Sequence, residues 1–343
     1  MTVAVIGAGM AGAAAANTLS KAGLQVEVFD KGRAAGGRMS SKRIADGYLD
    51  LGAQYFTARN ESFSQQVSQW LESGAVCYWP AVCYRFEHGQ MTASVDKTAR
   101  FIGAPSMQTP VKALLATLTN HFDCRVSRLR FVTNSSNGQK NGWYLFDQHN
   151  NRFGPYQALI LAMPPVQLQT LLVTACQPDE PGYSELQQLS AQIQPQALLP
   201  CWAVSLELAK PLQTAADAVF VKEGNVSWLA RQNSKPGRGN TVDNWLVHFS
   251  PQCSALHLQA EPAQLIALAK AELELIFGQG IDVTDALTHR WLYAQINPAA
   301  EQVLVEYSAG LKLAIAGDWL LGGRVENAWL SGVAAAKGVL ADV

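Results

Sequence analysis

The sequence lacks a charge excess of either sign. Only 15% of its 343 residues are charged, and the formal net charge is −1. A balance this close to zero creates no broad electrostatic field that would attract nucleic acid or an acidic lipid surface. We therefore do not expect nucleic acid as a partner.

Closely spaced cysteine pairs are also absent. No two of the six cysteines form a C-x-x-C pair, so neither a zinc site nor a thioredoxin-like motif is indicated, and no metal is predicted. Buried free thiols are the simpler interpretation, and they are consistent with a reducing compartment. The cysteines are Cys77, Cys83, Cys124, Cys176, Cys201 and Cys253.

Long uninterrupted apolar runs are missing as well. No window of about eighteen apolar residues occurs, so no transmembrane helix is predicted. The apolar segment 3–16 superficially resembles a signal peptide, but no Lys or Arg precedes it and three glycines interrupt it. We expect a cytoplasmic protein without a membrane partner.

What the sequence does contain is a glycine-rich turn between a predicted strand, 2–6, and a predicted helix, 10–21. Its glycines have the G-x-G-x-x-G spacing. Gly7 permits a tight turn, Gly9 lets the backbone approach a pyrophosphate, and Gly12 lets helix and strand pack closely. The helix N-terminus would present free N–H groups and a positive dipole end to the phosphates.

An acidic residue follows at a suitable distance. Asp30 ends the second predicted strand, 24–29, eighteen residues after Gly12. In this position a carboxylate accepts hydrogen bonds from ribose hydroxyls. The arrangement predicts a dinucleotide site, but by itself it does not distinguish NAD from FAD.

The loop that follows favours FAD. Residues 31–53 are rich in Gly, Arg and Ser and form too long a connector to be an ordinary turn. Arg33 and the segment 36–38 provide a second glycine turn flanked by guanidinium groups, which suits a pyrophosphate, although a solvated basic loop is the alternative. Residues 50–56 are then predicted as a strand whose glycine permits close approach to a flat ring.

The C-terminal region offers a second set of suitable groups. A predicted apolar strand, 311–316, ends in Gly317 and Asp318, and 322–327 leads into a predicted helix, 325–340. The Asp318 carboxylate can accept hydrogen bonds from ribityl or ribose hydroxyls, although an ordinary turn residue is the alternative. The second helix N-terminus can stabilise negative charge on a reduced flavin.

These elements predict an α/β fold. We expect a Rossmann-like FAD-binding domain of the two-dinucleotide-binding flavoprotein type, made of 1–60, 98–165 and 285–343. The second, α+β substrate domain, 61–97 and 166–284, would be built on a mixed or antiparallel sheet. Further predicted helices are 61–73, 110–121, 184–191 and 262–277; further predicted strands are a pair within 76–87, a hairpin of 125–132 and 142–147 around the turn 134–141, and 158–162, 198–208, 226–231 and 245–249.

Together the motifs closely resemble those of the renalase family and its bacterial relatives, within the flavin-dependent amine oxidase superfamily. The resemblance covers essentially the whole chain, in the family's order. The segments that carry it are G-A-G-M-A-G at 7–12, 28–31, 36–40, 50–57, 162–165, 246–248, 290–295 and 317–318. The chain departs from the family at Asn327, where a glycine is expected, and 322–324 resembles bacterial rather than animal members.

The resemblance implies a noncovalent FAD. It also implies oxidation of stray 2- or 6-dihydro isomers of NAD(P)H, with O2 taking the electrons to give hydrogen peroxide. The expected partners are therefore a small dinucleotide substrate and O2, while the oligomeric state is not indicated. Because a dihydropyridine becomes aromatic when it loses hydride, the reaction needs orientation and exclusion of water more than a strong base.

The resemblance also implies which residues surround the flavin. Gln54, Tyr55, His248 and Trp291 are the expected catalytic residues, with Tyr293 nearby. His248 would hydrogen-bond a carboxamide and Trp291 would wall the ring. The expected cofactor-binding residues are Gly7, Gly9, Met10, Ala11, Gly12, Asp30, Lys31, Arg33, Gly37, Arg38, Met39, Gln54, Tyr55, Phe56, Val126, Gly317, Asp318, Val325, Glu326, Asn327 and Ala328.

Several alternatives stay open. An amine oxidase would need an aromatic cage and usually a lysine near the flavin, and a redox sensor or electron-transfer protein would need no small substrate. His248 would alternatively be an ordinary hydrogen-bonded strand histidine. The basic turn 234–238 would either meet the substrate's phosphates or be a plain surface turn.

Overall fold

The computed structural model describes residues 1–133, 140–193, 198–239, 242–300 and 307–342. Among them no helix combines the length and the apolar character needed to cross a membrane. All six cysteines are free, five of them buried and Cys77 partly exposed, as the free-thiol interpretation expected.

The described strands and helices run as follows along the chain. The strands are β1 Thr2–Ile6, β2 Gln25–Phe29, β3 Ser41–Ile44, β4 Gly47–Asp50, β5 Val76–Tyr78, β6 Cys83–Glu87, β7 Gln90–Ala93, β8 Phe101–Gly103, β9 Thr119–His121, β10 Val126–Val132, β11 Gly142–Asp147, β12 Arg152–Tyr156, β13 Ala158–Leu161, β14 Leu198–Leu208, β15 Ala218–Val221, β16 Val226–Arg231, β17 Asp243–Phe249, β18 Val283–Ile296 and β19 Leu313–Ile315. The helices are α1 Met10–Lys21, α2 Glu61–Glu72, α3 Thr109–Leu115, α4 Pro165–Leu172, α5 Tyr183–Gln192, α6 Pro251–Leu256, α7 Pro262–Phe277 and α8 Val325–Leu340.

The chain divides into two compact units. The first consists of Met1–Gly37, Val111–Leu198 and Ile296–Val343, and the second of Arg38–Pro110 and Leu199–Gln295.

These bounds differ from the predicted domains at several segments. Residues 38–60, 98–110 and 285–295, predicted in the first domain, belong to the second unit. Residues 166–198, predicted in the second domain, belong to the first unit. That the first unit binds FAD and the second unit binds the substrate stays a prediction.

The first unit is built on the predicted parallel sheet. Its strand order is β19-β13-β1-β2-β9, and the neighbouring strands run parallel. Every residue of β13 and all but the first of β1 are buried, because helices cover both faces of such a sheet. A second, three-stranded antiparallel sheet contains the predicted hairpin β10-β11 and β12.

Small residues let α1 and α8 approach closely within this unit. A Cβ atom at Gly332 would lie 2.1 Å from the carbonyl oxygen of Ala11 and 3.0 Å from the Cβ of Ala14. The alanine-rich sequence of α1 and the glycine in α8 therefore serve the same contact. This packing supports the N-terminal end of α1, where the glycine-rich turn begins.

The second unit is built on a seven-stranded mixed sheet, order β18-β14-β17-β16-β15-β6-β7. The β15-β6 pair is parallel, whereas β14-β17, β16-β17 and β6-β7 are antiparallel. Trp245 and Phe249 of β17 are fully buried in a core that also contains Leu265 and Leu273 of α7. The predicted fold class is confirmed by these two sheets.

In the second unit, one predicted strand pairing and one predicted strand are wrong. Residues 76–87 do not form one pair, because β5 pairs with β8 and β6 pairs with β7 and β15. Residues 50–56 do not continue as a strand. Here β4 ends at Asp50, and only Phe56 forms an isolated bridge, with Phe101.

The predicted helix 110–121 is wrong in its second half. The helix α3 ends at Leu115, and β9 follows as an edge strand of the parallel sheet. The side chain of Asn120 explains the change, because its Nδ2 donates to the carbonyl oxygens of Leu115 and Leu118 and satisfies groups at the end of the helix. The predicted turn 134–141 falls mostly on residues 134–139, which lie outside the described residues.

Candidate functional site

The first unit carries the glycine-rich turn between β1 and α1 in the predicted form. Gly7 has a φ of +112°, and a Cβ there would lie 2.1 Å from the carbonyl oxygen of Ala162. A Cβ at Gly12 would lie 1.8 Å from the carbonyl oxygen of Gly7. Both positions therefore require glycine, one for the turn and one for the packing of helix on strand.

The N-terminus of α1 is suited to an anion. Gly9 is the N-cap and supplies no side-chain cap, and the first turn, which includes Met10 and Ala11, contains no acidic residue. The first N–H groups of this twelve-residue helix thus lack the usual side-chain acceptor. Gly37 packs against the same turn, since a Cβ there would lie 3.1 Å from the Cα of Gly9.

Asp30 lies beside this turn, and its carboxylate accepts hydrogen bonds from two backbone N–H groups. Its Oδ2 accepts a hydrogen bond from the Ala8 N–H at 2.6 Å, and its Oδ1 accepts one from Gly32 at 2.6 Å. Each carboxylate oxygen keeps a further lone pair for a ribose hydroxyl. Contact with the ribose stays a prediction, and the structure adds a role in fixing the turn.

Three other predicted cofactor residues lie in the same unit. Lys31 donates from Nζ to Oε1 of Gln167 at 3.0 Å. Arg33 is exposed, and Val126 begins β10. Their contacts with a cofactor stay predictions.

The segment between β19 and α8 has an unusual backbone. The carbonyl oxygen of Asp318, a buried residue, accepts from the N–H groups of Leu321 and Gly323. Gly322, Gly323 and Arg324 all have positive φ, of 88°, 81° and 89°. For Arg324 this conformation is strained, and such strain is concentrated at binding sites.

The first turn of α8 contains the remaining predicted residues of this unit. Val325 is partly exposed, Glu326 and Ala328 are buried, and the helix has no side-chain N-cap. Asn327 donates from Nδ2 to the carbonyl oxygen of Leu321 at 2.5 Å. The residue that departs from the expected glycine therefore ties α8 to the preceding loop.

The second unit brings two predicted substrate residues together on one backbone atom. His248 on β17 places Nε2 2.9 Å from the carbonyl oxygen of Leu51. Trp291 on β18 donates from Nε1 to the same oxygen at 3.0 Å. The ring of His289 packs on Trp291 at 4.3 Å between centroids.

His248 is held as a neutral imidazole. Burial lowers the pKa of His248 to about 4, and the positive charge of Lys235 acts in the same direction, against the hydrogen bond to Leu51. A carbonyl oxygen only accepts, so the proton of the neutral ring is on Nε2. The other nitrogen, Nδ1, is then an acceptor, and it has no hydrogen-bond partner among the described residues.

The backbone next to Leu51 is tightly packed. A Cβ at Gly52 would lie 2.0 Å from the carbonyl oxygen of Arg38, which also accepts from the Ala53 N–H at 2.9 Å. Arg38 donates from Nη1 to the carbonyl oxygen of Ala294 at 3.1 Å. Met39 is buried.

Gln54 has all its hydrogen-bonding capacity in use. Its Nε2 donates to the carbonyl oxygens of Asp50 and Gly52. Its Oε1 accepts from Nε2 of Gln232 at 2.9 Å and from Nζ of Lys235 at 2.9 Å. This buried amide is arranged to position its neighbours, and a direct part in catalysis stays a prediction.

A buried charge cluster, formed by Asp50, Lys235 and Arg238, adjoins Gln54. Lys235 Nζ lies 3.1 Å from Asp50 Oδ2, and Arg238 Nη2 lies 2.8 Å from the same oxygen. Burial would raise the pKa of Asp50, but the two cations hold it below its ordinary value. Burial lowers the pKa of Lys235 to about 8 despite Asp50. At neutral pH the cluster therefore carries one excess positive charge.

The interpretation of 234–238 as a surface turn is wrong, because the side chain of Lys235 is fully buried and that of Arg238 nearly so. Arg238 Nη1 donates to the carbonyl oxygens of Gly103 and Pro105. With their donors committed inside the unit, these cations are not placed for a substrate's phosphates. The cluster as a whole was missed from the sequence.

Tyr55 belongs to an aromatic group of the second unit. Its ring lies 5.5 Å from that of Trp228 and 6.2 Å from that of Trp79. The guanidinium of Arg100 lies 5.4 Å from its centroid. Phe56, by contrast, is buried in the core, so the predicted cofactor contact of its ring has no support from its surroundings.

Two family models match the sequence. One, described as an NAD(P)-binding Rossmann-like domain, matches residues 5–72. The other, described as flavin containing amine oxidoreductase, matches residues 68–340, more than half of the chain. The chain belongs to the flavin containing amine oxidoreductases.

Several solved structures have a similar fold. A putative protoporphyrinogen oxidase from Exiguobacterium sp. has a TM-score of 0.72 at 10% identity, covering 100% of this chain and 99% of that one. Putrescine oxidase bound to putrescine has a TM-score of 0.72 at 13% identity, covering 99% of each chain. Cyclohexylamine oxidase from Brevibacterium oxydans has a TM-score of 0.69 at 14% identity, covering 99% of this chain and 98% of that one.

Membership in the family confirms several expectations. The chain is a flavin-dependent oxidoreductase of the amine oxidase superfamily, and the predicted flavin cofactor is confirmed. The uncapped N-terminus of α1 and the required glycines beside it fit the pyrophosphate of such a cofactor. The renalase resemblance itself remains a hypothesis within the family.

Proposed function

We propose that this protein is an FAD-dependent oxidase of dihydropyridine isomers of NAD(P)H, the 2- or 6-dihydro forms. Bound FAD would supply the hydride acceptor and pass the electron pair to O2, so that one isomer, one O2 and one proton become NAD(P)⁺ and hydrogen peroxide. The observation that carries the proposal is the pairing of a neutral His248 with Trp291 on the carbonyl oxygen of Leu51.

This pairing supports a reaction that depends on orientation. The indole of Trp291 offers a flat apolar surface, and its N–H is occupied by Leu51, so the ring is fixed in one orientation. His248 is fixed by the same oxygen. Two side chains held in this way can position a planar ring without exchanging a proton with it.

The titration properties of the group agree with that chemistry. His248, with a pKa of about 4, is a weak base, and burial also lowers the pKa of His289. Burial raises the pKa of Tyr55, against the effect of Arg100. None of these three side chains is a general base with a pKa near 7, and hydride loss from a dihydropyridine does not need one.

Amine oxidation is the second candidate, favoured by the family's description and by the aromatic group of Tyr55, Trp79 and Trp228. Two cations adjoin this group, however. Arg100 lies 5.4 Å from the Tyr55 centroid, and Lys235 Nζ lies 5.2 Å from the Trp79 centroid. Each cation is ion-paired, Arg100 with Asp96 and Lys235 with Asp50, and both already lie against the aromatic rings, which argues against these rings as an open cage for an amine.

The test is anaerobic mixing of the FAD-loaded protein with each dihydro isomer and with a panel of amines, followed by flavin absorbance. We expect at least one isomer to bleach the flavin, and O2 to restore the colour with one hydrogen peroxide per substrate. Bleaching by an amine alone would establish the second candidate. A flavin that no small substrate reduces would favour the redox sensor or electron-transfer alternative.

A further inference from the structure

The carbonyl oxygens on either side of Leu51 are held by one side chain. Gln54 Nε2 donates to the carbonyl oxygens of Asp50 and Gly52, and the carbonyl between them accepts from His248 and Trp291 instead. The direction of the Leu51 carbonyl therefore depends on Gln54.

Gln54 in turn depends on the buried charge cluster. Lys235 Nζ donates to Gln54 Oε1 and also pairs with Asp50, whose backbone N–H donates to Gln232 Oε1 at 3.0 Å. Since both amide hydrogens and both lone pairs of Gln54 are in use, the amide has a single favourable orientation. Hydrogen bonds thus link Lys235 to Gln54 and Gln54 to the carbonyls on either side of Leu51, whose own carbonyl binds His248.

We propose that Lys235 is a positioning residue, which fixes His248 as the Nε2–H tautomer so that Nδ1 accepts a hydrogen bond from the carboxamide N–H of the substrate. The identity of this substrate group rests on the proposed function. Lys235 contributes in two ways, through its bond to Gln54 and through its charge, which opposes protonation of His248. It does not itself contact substrate, because its side chain is fully buried.

A His248 ring fixed as the Nε2–H tautomer would determine which substrates bind. An acceptor at Nδ1 binds an N–H donor, so a carboxamide is recognised through its NH2 group. A 3-acetyl group has the same shape and no charge, but carries a methyl group where the carboxamide has NH2. The acetylpyridine dinucleotide should therefore leave Nδ1 unpaired, whereas a protonated His248 would bind the carbonyl oxygen of either compound.

The first test measures binding of the two oxidised dinucleotides, NAD⁺ and its 3-acetylpyridine analogue, to the FAD-loaded protein by flavin absorbance. We expect the wild type to bind the analogue about tenfold more weakly. Lys235→Met should lower this ratio, because Gln54 then loses a hydrogen bond that fixes the carbonyls beside Leu51 and, through them, the orientation of His248. Lys270→Met, which removes an exposed lysine paired with Glu274, is the matched control and should keep the wild-type ratio.

The second test observes His248 directly by NMR of protein labelled with ¹⁵N-histidine, the signal being assigned with His248→Gln. The wild type should show the neutral Nε2–H form at pH 6, and the His248 signal should respond to a titration near pH 8, where Lys235 loses its proton. Lys235→Met should remove that response and raise the pKa of His248. The wild-type titration does not use Lys235→Met, so it remains decisive if that variant does not fold.

The outcomes separate this proposal from the proposed function. Equal binding of the two dinucleotides by the wild type, or a wild-type His248 signal that is protonated on Nδ1 at pH 6 or unaffected near pH 8, would overturn the role of Lys235. A tenfold ratio and the expected NMR response, without flavin reduction by any dihydro isomer, would leave that role supported and overturn the proposed oxidase activity.

Discussion

At the scale of single residues, a backbone oxygen is the acceptor that holds the side chains predicted to contact the substrate. The carbonyl of Leu51 holds His248 and Trp291, which are 197 and 240 positions away in the sequence. Every residue has a carbonyl oxygen, so no sequence pattern marks this one. The family resemblance predicted the two side chains. Only the structure gives the tautomer of His248 and identifies Nδ1 as the nitrogen that can accept a further hydrogen bond.

His248→Ala tests positioning at this residue. We expect the variant to keep its FAD and to reduce it up to about a hundredfold more slowly with a dihydro-NAD isomer, because orientation is lost while the drive towards the aromatic product remains. In the wild type the reduction rate should change little between about pH 5 and 8, since His248 is already neutral above its pKa of about 4. Anaerobic rapid mixing gives both results. A variant as fast as the wild type would remove His248 from the site.

The charge cluster makes a second prediction at the residue scale. Asp50→Asn leaves Lys235 and Arg238 buried without a counter-charge and should lower the free energy of unfolding by about 3 to 5 kcal/mol. Lys235→Met leaves the Asp50–Arg238 pair intact and should destabilise much less.

The difference in stability between the wild type and Lys235→Met should also depend on pH. The pKa of Lys235 is lowered in the folded state, so the cost of burying its charge is fully present below about pH 8 and disappears as the pH rises towards the ordinary lysine value. The wild type should therefore gain stability over that alkaline range, and Lys235→Met should not. Thermal unfolding of the three proteins at several pH values is the measurement. Similar losses in both variants would contradict the assignment of excess positive charge.

At the scale of elements, prediction succeeded where the sequence pattern is local. The β1–α1 turn, α7 and α8 have the predicted form, because glycine spacing and helix-forming residues act over a few positions. The predicted strand 50–56 was wrong because the partners of this segment are distant side chains, such as Gln232 and Lys235. The end of α3 was missed because the Asn120 side chain caps it.

Asp30 provides the prediction at the element scale. Because its two oxygens accept from Ala8 and Gly32, Asp30→Ala should loosen the turn before α1 as well as remove a ribose contact. We expect weaker FAD binding, by about 1 to 3 kcal/mol, and a lower melting temperature of the FAD-free protein.

Asp30→Asn tests the role in the turn with a side chain of nearly the same shape. An asparagine keeps one acceptor oxygen, but its NH2 group would face a backbone N–H, so we expect it also to lower the melting temperature of the FAD-free protein. FAD titration and thermal unfolding without the cofactor measure the two effects. Weaker FAD binding with unchanged melting of the FAD-free variants would leave only the ribose contact.

At the scale of the whole molecule, the two sheets could be predicted but the division of the chain could not. Parallel strands followed by helices, and then a run of longer strands, indicate two sheets of different type. Residues 285–295 were predicted in the first domain. In the structure they lie on β18, which hydrogen-bonds within the seven-stranded sheet of the second unit. This return of the chain to the second unit depends on strand pairing between residues that are far apart in the sequence.

The way the whole chain holds its flavin is the last prediction. A thioether tether to a flavin requires a cysteine that reacts as a thiolate. Burial raises the pKa of all six cysteines, to about 11 for Cys176 and about 12 for Cys201. We therefore expect the protein to purify yellow and to release all its FAD when denatured by heat or acid. Absorbance of the supernatant and mass spectrometry of the precipitated chain decide the point, and a chain that keeps the mass of a flavin would show that the attachment is covalent.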